Sequence, residues 1–384
     1  MIQEQQASLP GTAPAPKRRI EWIDTAKFIG IFFVMFCHAT GKGDIIGYLY
    51  SFHLPLFFLL NGLTLRIDPK ESFGDFLERK IKAYLIPLFC LGFLCIITDL
   101  IMHDALQVEY SWNYVVKTSV ALYQQVRQYG LWFVGALFVS DIIAYFIITV
   151  GKKHGWISLI LAAVQLTIAI LFNRYHQQWL MWNLDTAMFG SVFVYVGYLF
   201  NRPFNRKPRE FLLGKRWISL LAAAVLLVPG MFLAKYIMDV NNGGHLEMWA
   251  GLYRPYYVVL PTALINSFGV IFFSRAITSK PLGWLGRSSL VLLAFHQRLS
   301  FPIFTEYLAK DWVKGIYAMP LEGNDPHYVY LALAMVAFSL ALILPIYCLI
   351  IYTPLSFILN RKMLPCYQKM FALIKEKRKT EKAK

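Results

Sequence analysis

The sequence of 384 residues is 57% hydrophobic and only 16% charged, yet its formal net charge is +16. Soluble domains carry about 25% charged residues, so this composition excludes one water-soluble core and reads as a row of segments, each able to cross about 30 Å of hydrocarbon. The positive excess does not mark a nucleic-acid-binding protein, because lysines and arginines sit at the ends of apolar runs and form no single stripe, and no zinc-finger or helix-turn-helix pattern occurs.

Residues 1–20 are polar, contain Pro10, Pro14 and Pro16, and end in Lys17-Arg18-Arg19. They predict a short disordered cytoplasmic tail, and with no cleavage site after the next apolar run the first span is expected to stay as an anchor. Ten candidate spans follow, near 26–41, 45–65, 83–102, 129–150, 156–173, 185–201, 217–237, 256–276, 288–306 and 328–353. The expected fold is all-α: a polytopic membrane domain over 21–357, with a basic cytoplasmic tail over 358–384. With the N-terminus inside, 28 of the 38 lysines and arginines fall in inner segments and 9 in outer ones. That asymmetry predicts an even number of spans with both termini cytoplasmic.

The first span holds Asp24, Lys27 and His38 in an otherwise apolar run. Lys27 and His38 lie eleven positions apart, within roughly 20° of each other on a helix and about 16 Å apart along it. Asp24 falls on nearly the same stripe. Ionisable groups inside a span are costly and mark functional sites by default. A cation at the mouth suits an anionic donor, and an imidazole deeper in suits a base acting on a hydroxyl. Snorkelling of Lys27 and a helix-to-helix hydrogen bond at His38 is the competing structural reading.

The second span carries His53, Pro55, Asn61 and Gly62. Pro55 is expected to free a carbonyl inside the helix. His53 is placed opposite His38 across an antiparallel pair, sharing base and orienting roles; as a packed polar residue it is explained equally well. Next comes Glu78-Arg79-Lys80-Ile81-Lys82. At helical spacing Arg79 and Lys82 share a face and, with Lys27, form a candidate cradle for phosphate. Ordinary inner-side charge accounts for this cluster too.

Further along, Asp99, Asp141, Asn266, His296, Gln297 and Arg298 are polar groups within spans, each a candidate for cavity lining or helix packing. Outer segments 103–128, 238–255 and 307–327 are rich in aromatics and amides, fit for lids, sugar contacts or connectors. The five cysteines have no metal-ligand spacing, and no metal site is expected. No phosphate-binding loop, dinucleotide fingerprint or nucleophile elbow is present. The tail from Arg361 reads as an amphipathic helix on anionic lipid.

Taken together, Asp24-Thr-Ala-Lys27 with His38 after ten intervening residues, Ser51-Phe-His-Leu-Pro-Leu-Phe-Phe, and Arg79-x-x-Lys82 resemble the acyltransferase-3 family of integral-membrane acyltransferases. The resemblance covers roughly residues 20–355 and is nearest to the branch of fucose 4-O-acetylase-like sugar O-acetyltransferases. Leu131-Trp-Phe-Val, and Gly283-Trp-Leu-Gly-Arg-Ser-Ser with His296, fit the same family. It implies transfer of an acyl group, acetyl by preference, from cytosolic acyl-CoA to a surface glycan or lipid-linked saccharide, in a bacterial cytoplasmic (inner) membrane. It also implies that Lys27 helps bind the donor and that His38 is the essential catalytic residue. On this reading Lys27, Arg79 and Lys82 hold the acetyl-CoA phosphates, and the further catalytic candidates are His53, lining the same cavity, and Asp24, paired with Lys27 or a nearby arginine. The family pattern has arginine where Lys82 stands, which keeps the charge but loses the bidentate fork. Membrane lipid is the expected surrounding partner and nucleic acid is not expected; a homo-oligomer is left open. The competing class is a transporter or flippase for a lipid-linked saccharide.

Overall fold

A computed structural model describes residues 19–361 apart from 42, 69, 126, 128–129, 153, 177, 203–205 and 320–323, together with 366 and 368. The expected N-terminal tail up to residue 18 and, beyond 361, all but two residues of the expected amphipathic tail lie outside the described residues. The described chain is all-α; its one β-type pairing is an isolated bridge between Glu247 and Leu252. The cysteines are unpaired.

In chain order, α1 (Glu21–Thr40) is followed by α2 (Asp44–Tyr50), α3 (His53–Thr64) and α4 (Phe73–Lys80), a π-helical turn (Ile81–Leu85), and α5 (Ile86–Ile101). Two short helices, α6 (His103–Leu106) and α7 (Trp112–Gln124), lead to α8 (Trp132–Val150), α9 (Gly155–Tyr175) and α10 (Leu184–Phe200). Then come α11 (Arg206–Gly214), α12 (Arg216–Val240), α13 (Tyr256–Ile277), α14 (Lys280–Gly286) and α15 (Ser289–Phe295). π-helical segments His296–Ser300 and Ile303–Leu308 precede α16 (Lys310–Ala318) and α17 (Pro326–Tyr352).

Eight segments are long and apolar enough to cross a membrane, counting α2 with α3 and α4 through α5 as one each. They make the chain a multi-pass membrane protein. The two remaining expected spans are the 17-residue α10 and the run from α15 through the two π-helical segments.

The second span differs from the expected continuous helix. It breaks at Ser51 and Phe52, and α3 starts afresh at His53. Pro55 therefore sits in a first turn, where no intrahelical partner awaits its missing N–H, and it does not interrupt a helix. The break turns His53 into the bundle.

Packing follows the logic of a lipid solvent. On α9 the buried positions are Ser158, Ala162 and Ala169, while Leu159, Ile160, Val164 and Ile168 face outward. Small residues allow close helix approach and large apolar ones meet lipid. The crossing of α3 and α10 shows the limit of this approach. A Cβ on Gly62 would lie 2.0 Å from the Val194 carbonyl oxygen, and one on Gly197 would lie 2.2 Å from that of Leu59. At the centre stands α1, packed against α3, α13, α14, α15 and α17.

Candidate active site

The site is organised by one stripe of α1. Asp24, Lys27, Ile31, Val34 and His38 follow one another at alternating intervals of three and four, which puts them on one helix face. Lys27, Ile31 and Val34 line a cavity of about 260 Å³ on the side where α1 begins, here the near side. Val34 and His38 line a second cavity of about 250 Å³ toward the far side. The two share the walls Val34, Leu54, Phe133 and Leu293. One apolar wall thus lies between the lysine end and the imidazole end.

The near end is cationic. Asp24, almost fully buried, meets Arg19 Nε at 2.5 Å, Lys27 Nζ at 3.5 Å and Arg287 Nε at 3.6 Å. One carboxylate among three cations leaves a positive excess at the mouth. Asp24 is fourteen residues, or about 21 Å of helix, from His38. It orders the near-side charges through Arg19, Lys27 and Arg287 and does not touch the imidazole.

Arg79 and Lys82 do not reach the cavity wall. Arg79 donates to Glu71 at 2.7 and 2.9 Å and to the Arg66 carbonyl at 3.0 Å, and Lys82 pairs with Glu78. Both stay exposed, and a π-helical turn begins at Ile81, between the two. The cation that turns inward is Lys80. It pairs with the fully buried Asp141 at 2.5 Å. Asn61 donates to Asp141 at 2.7 Å and accepts from the Tyr84 hydroxyl at 2.8 Å. Asn61 and Tyr84, with Thr64 and Lys27, supply polar groups along the near cavity.

At the far end, His38 Nδ1 lies 2.8 Å from His296 Nε2. His296 is fully buried, and its Nδ1 faces the Leu292 and Leu293 carbonyls at 2.9 and 3.0 Å. Carbonyls only accept, so His296 carries its proton on Nδ1 and accepts at Nε2. His38 must then donate from Nδ1, which leaves its Nε2 with a bare lone pair. His53 also lines this cavity, yet its Nδ1 donates to the Leu49 carbonyl at 2.9 Å. The ring that orients His38 is therefore His296, not His53.

The loop between α12 and α13 closes over this cavity. The Tyr50 ring is flanked by His53 at 4.6 Å and His245 at 4.5 Å between centroids. Glu247 lines the same cavity, and its partial burial pushes its carboxyl above the usual carboxylate range. Burial likewise pushes the His245 imidazole below its usual value. Arg127, from the segment between α7 and α8, completes the wall; one nitrogen pairs with Asp185 and Thr186.

Lys80, Arg127, Glu247 and Arg287 were not singled out by spacing. Lys80 was hidden inside a cluster read with a 3.6-residue period, and Arg127 and Glu247 lie in connectors whose return over the bundle has no local signal. His296 had one: an ionisable residue within an apolar span. Among the described residues, no cluster of histidine, cysteine and acidic side chains could hold a metal ion.

A helical bundle that holds two adjoining cavities, with Lys27 lining one and the His38 imidazole lining the other, defines a multi-pass membrane protein with a buried polar site. A family model described as an acyltransferase domain matches residues 20–355. The chain belongs to this acyltransferase-3 family and is a membrane acyltransferase. No curated protein and no solved structure matches it.

Proposed function

We propose that the protein transfers an acyl group, acetyl by preference, from acyl-CoA at the near side to a hydroxyl of a surface glycan or lipid-linked saccharide at the far side. The nearest functional relatives in this reading are the fucose 4-O-acetylase-like sugar O-acetyltransferases. The near side is the cytoplasmic face of a bacterial inner membrane, with both termini there. The observation that carries the reading is the shared apolar wall, which links a cationic mouth to the His38 imidazole.

The donor fits the chain's own groups. Arg19, Lys27 and Arg287 offer positive charge for phosphates, and Arg79 and Lys82 would join them only by leaving Glu71 and Glu78. A near cavity of about 260 Å³ is too small for a nucleotide with its arm but suits a thin acyl-carrying chain. Phosphates stay at the mouth while the thioester passes the shared apolar wall.

At the far end His38 Nε2 accepts the proton of the acceptor hydroxyl as that oxygen bonds to the thioester carbonyl carbon. As the carbon–sulfur bond breaks, His38 returns the proton to the departing thiolate. Atoms and charge balance with the imidazole restored. His296 holds the tautomer and bears part of the transient charge, and His53 shapes the wall. The test is labelled acetyl-CoA with the purified protein and de-O-acylated surface glycan. Acceptor-dependent loss of thioester supports acyl transfer. Movement of a lipid-linked saccharide across vesicles with the thioester intact would support the transporter instead.

A further inference from the structure

Beside the His38 cavity lies a third hollow of about 340 Å³ at the far rim, lined by Asn173, Gln178, Trp179, Asn241, Tyr253 and Arg254 among others. The wall between the two is made of paired side chains. Three pairs cross it, each with one member in either hollow. Arg127 bonds Asp185, Trp249 meets Trp179 at 5.1 Å between ring centroids, and Tyr50 meets His245 at 4.5 Å. The Arg127 guanidinium also lies over the Trp179 ring at 4.9 Å.

Arg127 is the telling residue. Its side chain is 2% exposed, and its Nε and Nη1 have no hydrogen-bond partner among the described residues. A buried donor without an acceptor costs about 1–3 kcal/mol. Asp185 already offsets its charge, so what the open N–H groups lack is acceptor oxygen atoms. Around the rim hollow the Asn173 and Asn241 amides already bond within the protein, the Gln178 amide can donate and accept, and Trp179, half exposed, offers an apolar ring face. Hydroxyls beside a C–H face are the matching ligand chemistry, which is that of a saccharide. In size, the hollows of about 250 and 340 Å³ fall below or near the bottom of the range for small-molecule sites, about 300–1,000 Å³, so each suits one small unit.

We infer that the acceptor is recognised across both hollows: a saccharide of at least two units, with the acylated unit at His38, the neighbouring unit against Trp179, and Arg127 donating at the junction. This rests on the acyl-transfer reading above and adds a length requirement to it. Binding energy from the non-reacting unit is then used in the transition state, so the shorter acceptor loses turnover as well as affinity.

The experiment uses the full chain in proteoliposomes with labelled acetyl-CoA and one-, two- and three-unit fragments of the host's de-O-acylated surface glycan. The expected kcat/KM is about tenfold or more higher for two units than for one, with little further gain at three. In Trp179→Ala, and in Arg127→Lys as a second variant, the two-unit to one-unit ratio should fall toward one. A ratio is indifferent to how much protein folds. Equal transfer to all three lengths by the unaltered protein overturns this inference alone, and so does a ratio that both variants leave untouched. Transfer to none of the fragments overturns the acyl-transfer reading and this inference with it.

Discussion

His38 and His296 meet edge to edge: Nδ1 of the first is 2.8 Å from Nε2 of the second, and the ring planes differ by 9°. The centroids are 5.1 Å apart, which is the nitrogen–nitrogen distance plus about two ring radii. The rings therefore share a plane and a hydrogen bond and are not stacked face to face. A backbone carbonyl fixes His296, and His296 fixes His38. The chain of dependence runs from the α15 backbone to the one nitrogen left bare toward the cavity.

Removing His38 should abolish transfer. Removing His296 should leave the nucleophile's base present but free to take the wrong tautomer, so His296→Ala is expected to lower kcat about 10- to 100-fold with KM little changed. His296→Gln offers a carbonyl oxygen to the same Nδ1–H and should recover part of that loss. Equal kcat in the two variants would show that His296 only fills space.

The Lys80–Asp141 pair is a second site where one partner cannot be lost cheaply. Removing one member of a buried ion pair strands the other and costs about 3–5 kcal/mol, whereas replacing both with apolar groups is often neutral. Lys80→Met and Asp141→Leu are each expected to lower the unfolding temperature in detergent by several degrees. The double variant should regain most of the loss. Additive losses would argue that the pair is not coupled.

The all-α class, most of the spans and the α1 stripe were legible because lipid imposes a long apolar run and a helix imposes a period. Lys27 and His38 could be placed on one face from their spacing, since α1 is an uninterrupted helix. Two local departures hid the rest. Within the charged cluster it is Lys80, ahead of the π-helical turn at Ile81, that enters the bundle while Arg79 and Lys82 stay outside. The break at Ser51 and Phe52 resets the helix that carries His53. Neither has a periodic signature. Arg127 and Glu247 reach the site through long-range folding of connectors, and the His38–His296 bond joins residues 258 positions apart.

The loop over the far cavity should make stability depend on pH in two opposite ways. Glu247 has a raised folded pKa, so the folded state holds its proton more tightly than the unfolded state. Its contribution is full below the ordinary carboxylate pKa and is lost as pH rises through the folded value. His245 has a lowered folded pKa, so its contribution is full above the ordinary imidazole range and is lost as pH falls through the folded value. Glu247→Gln should therefore raise the unfolding temperature at neutral pH and have little effect in mild acid. His245→Gln should narrow the loss of stability between neutral pH and about pH 5. Identical pH profiles for both variants and the unaltered protein would contradict the burial of these side chains.

The shared wall gives the most direct control over the chemistry. Val34, Leu54, Phe133 and Leu293 line both cavities, and Val34 lies on α1 between Lys27 and His38. In the proposed reaction the acyl-bearing arm passes this point, so the width there sets which acyl groups arrive. Val34→Phe adds bulk at a buried position; such overpacking costs about 1–3 kcal/mol, which a folded bundle can tolerate. It should stop transfer while a fluorescent CoA analogue still binds the near side. Val34→Ala acts the other way, widening the passage and raising the ratio of butyryl to acetyl transfer from the matching thioesters. Because that second readout is a ratio, loss of folded protein cannot imitate it. Normal acetyl transfer by Val34→Phe, with the protein intact in the membrane, would mean that the thioester reaches His38 by another route.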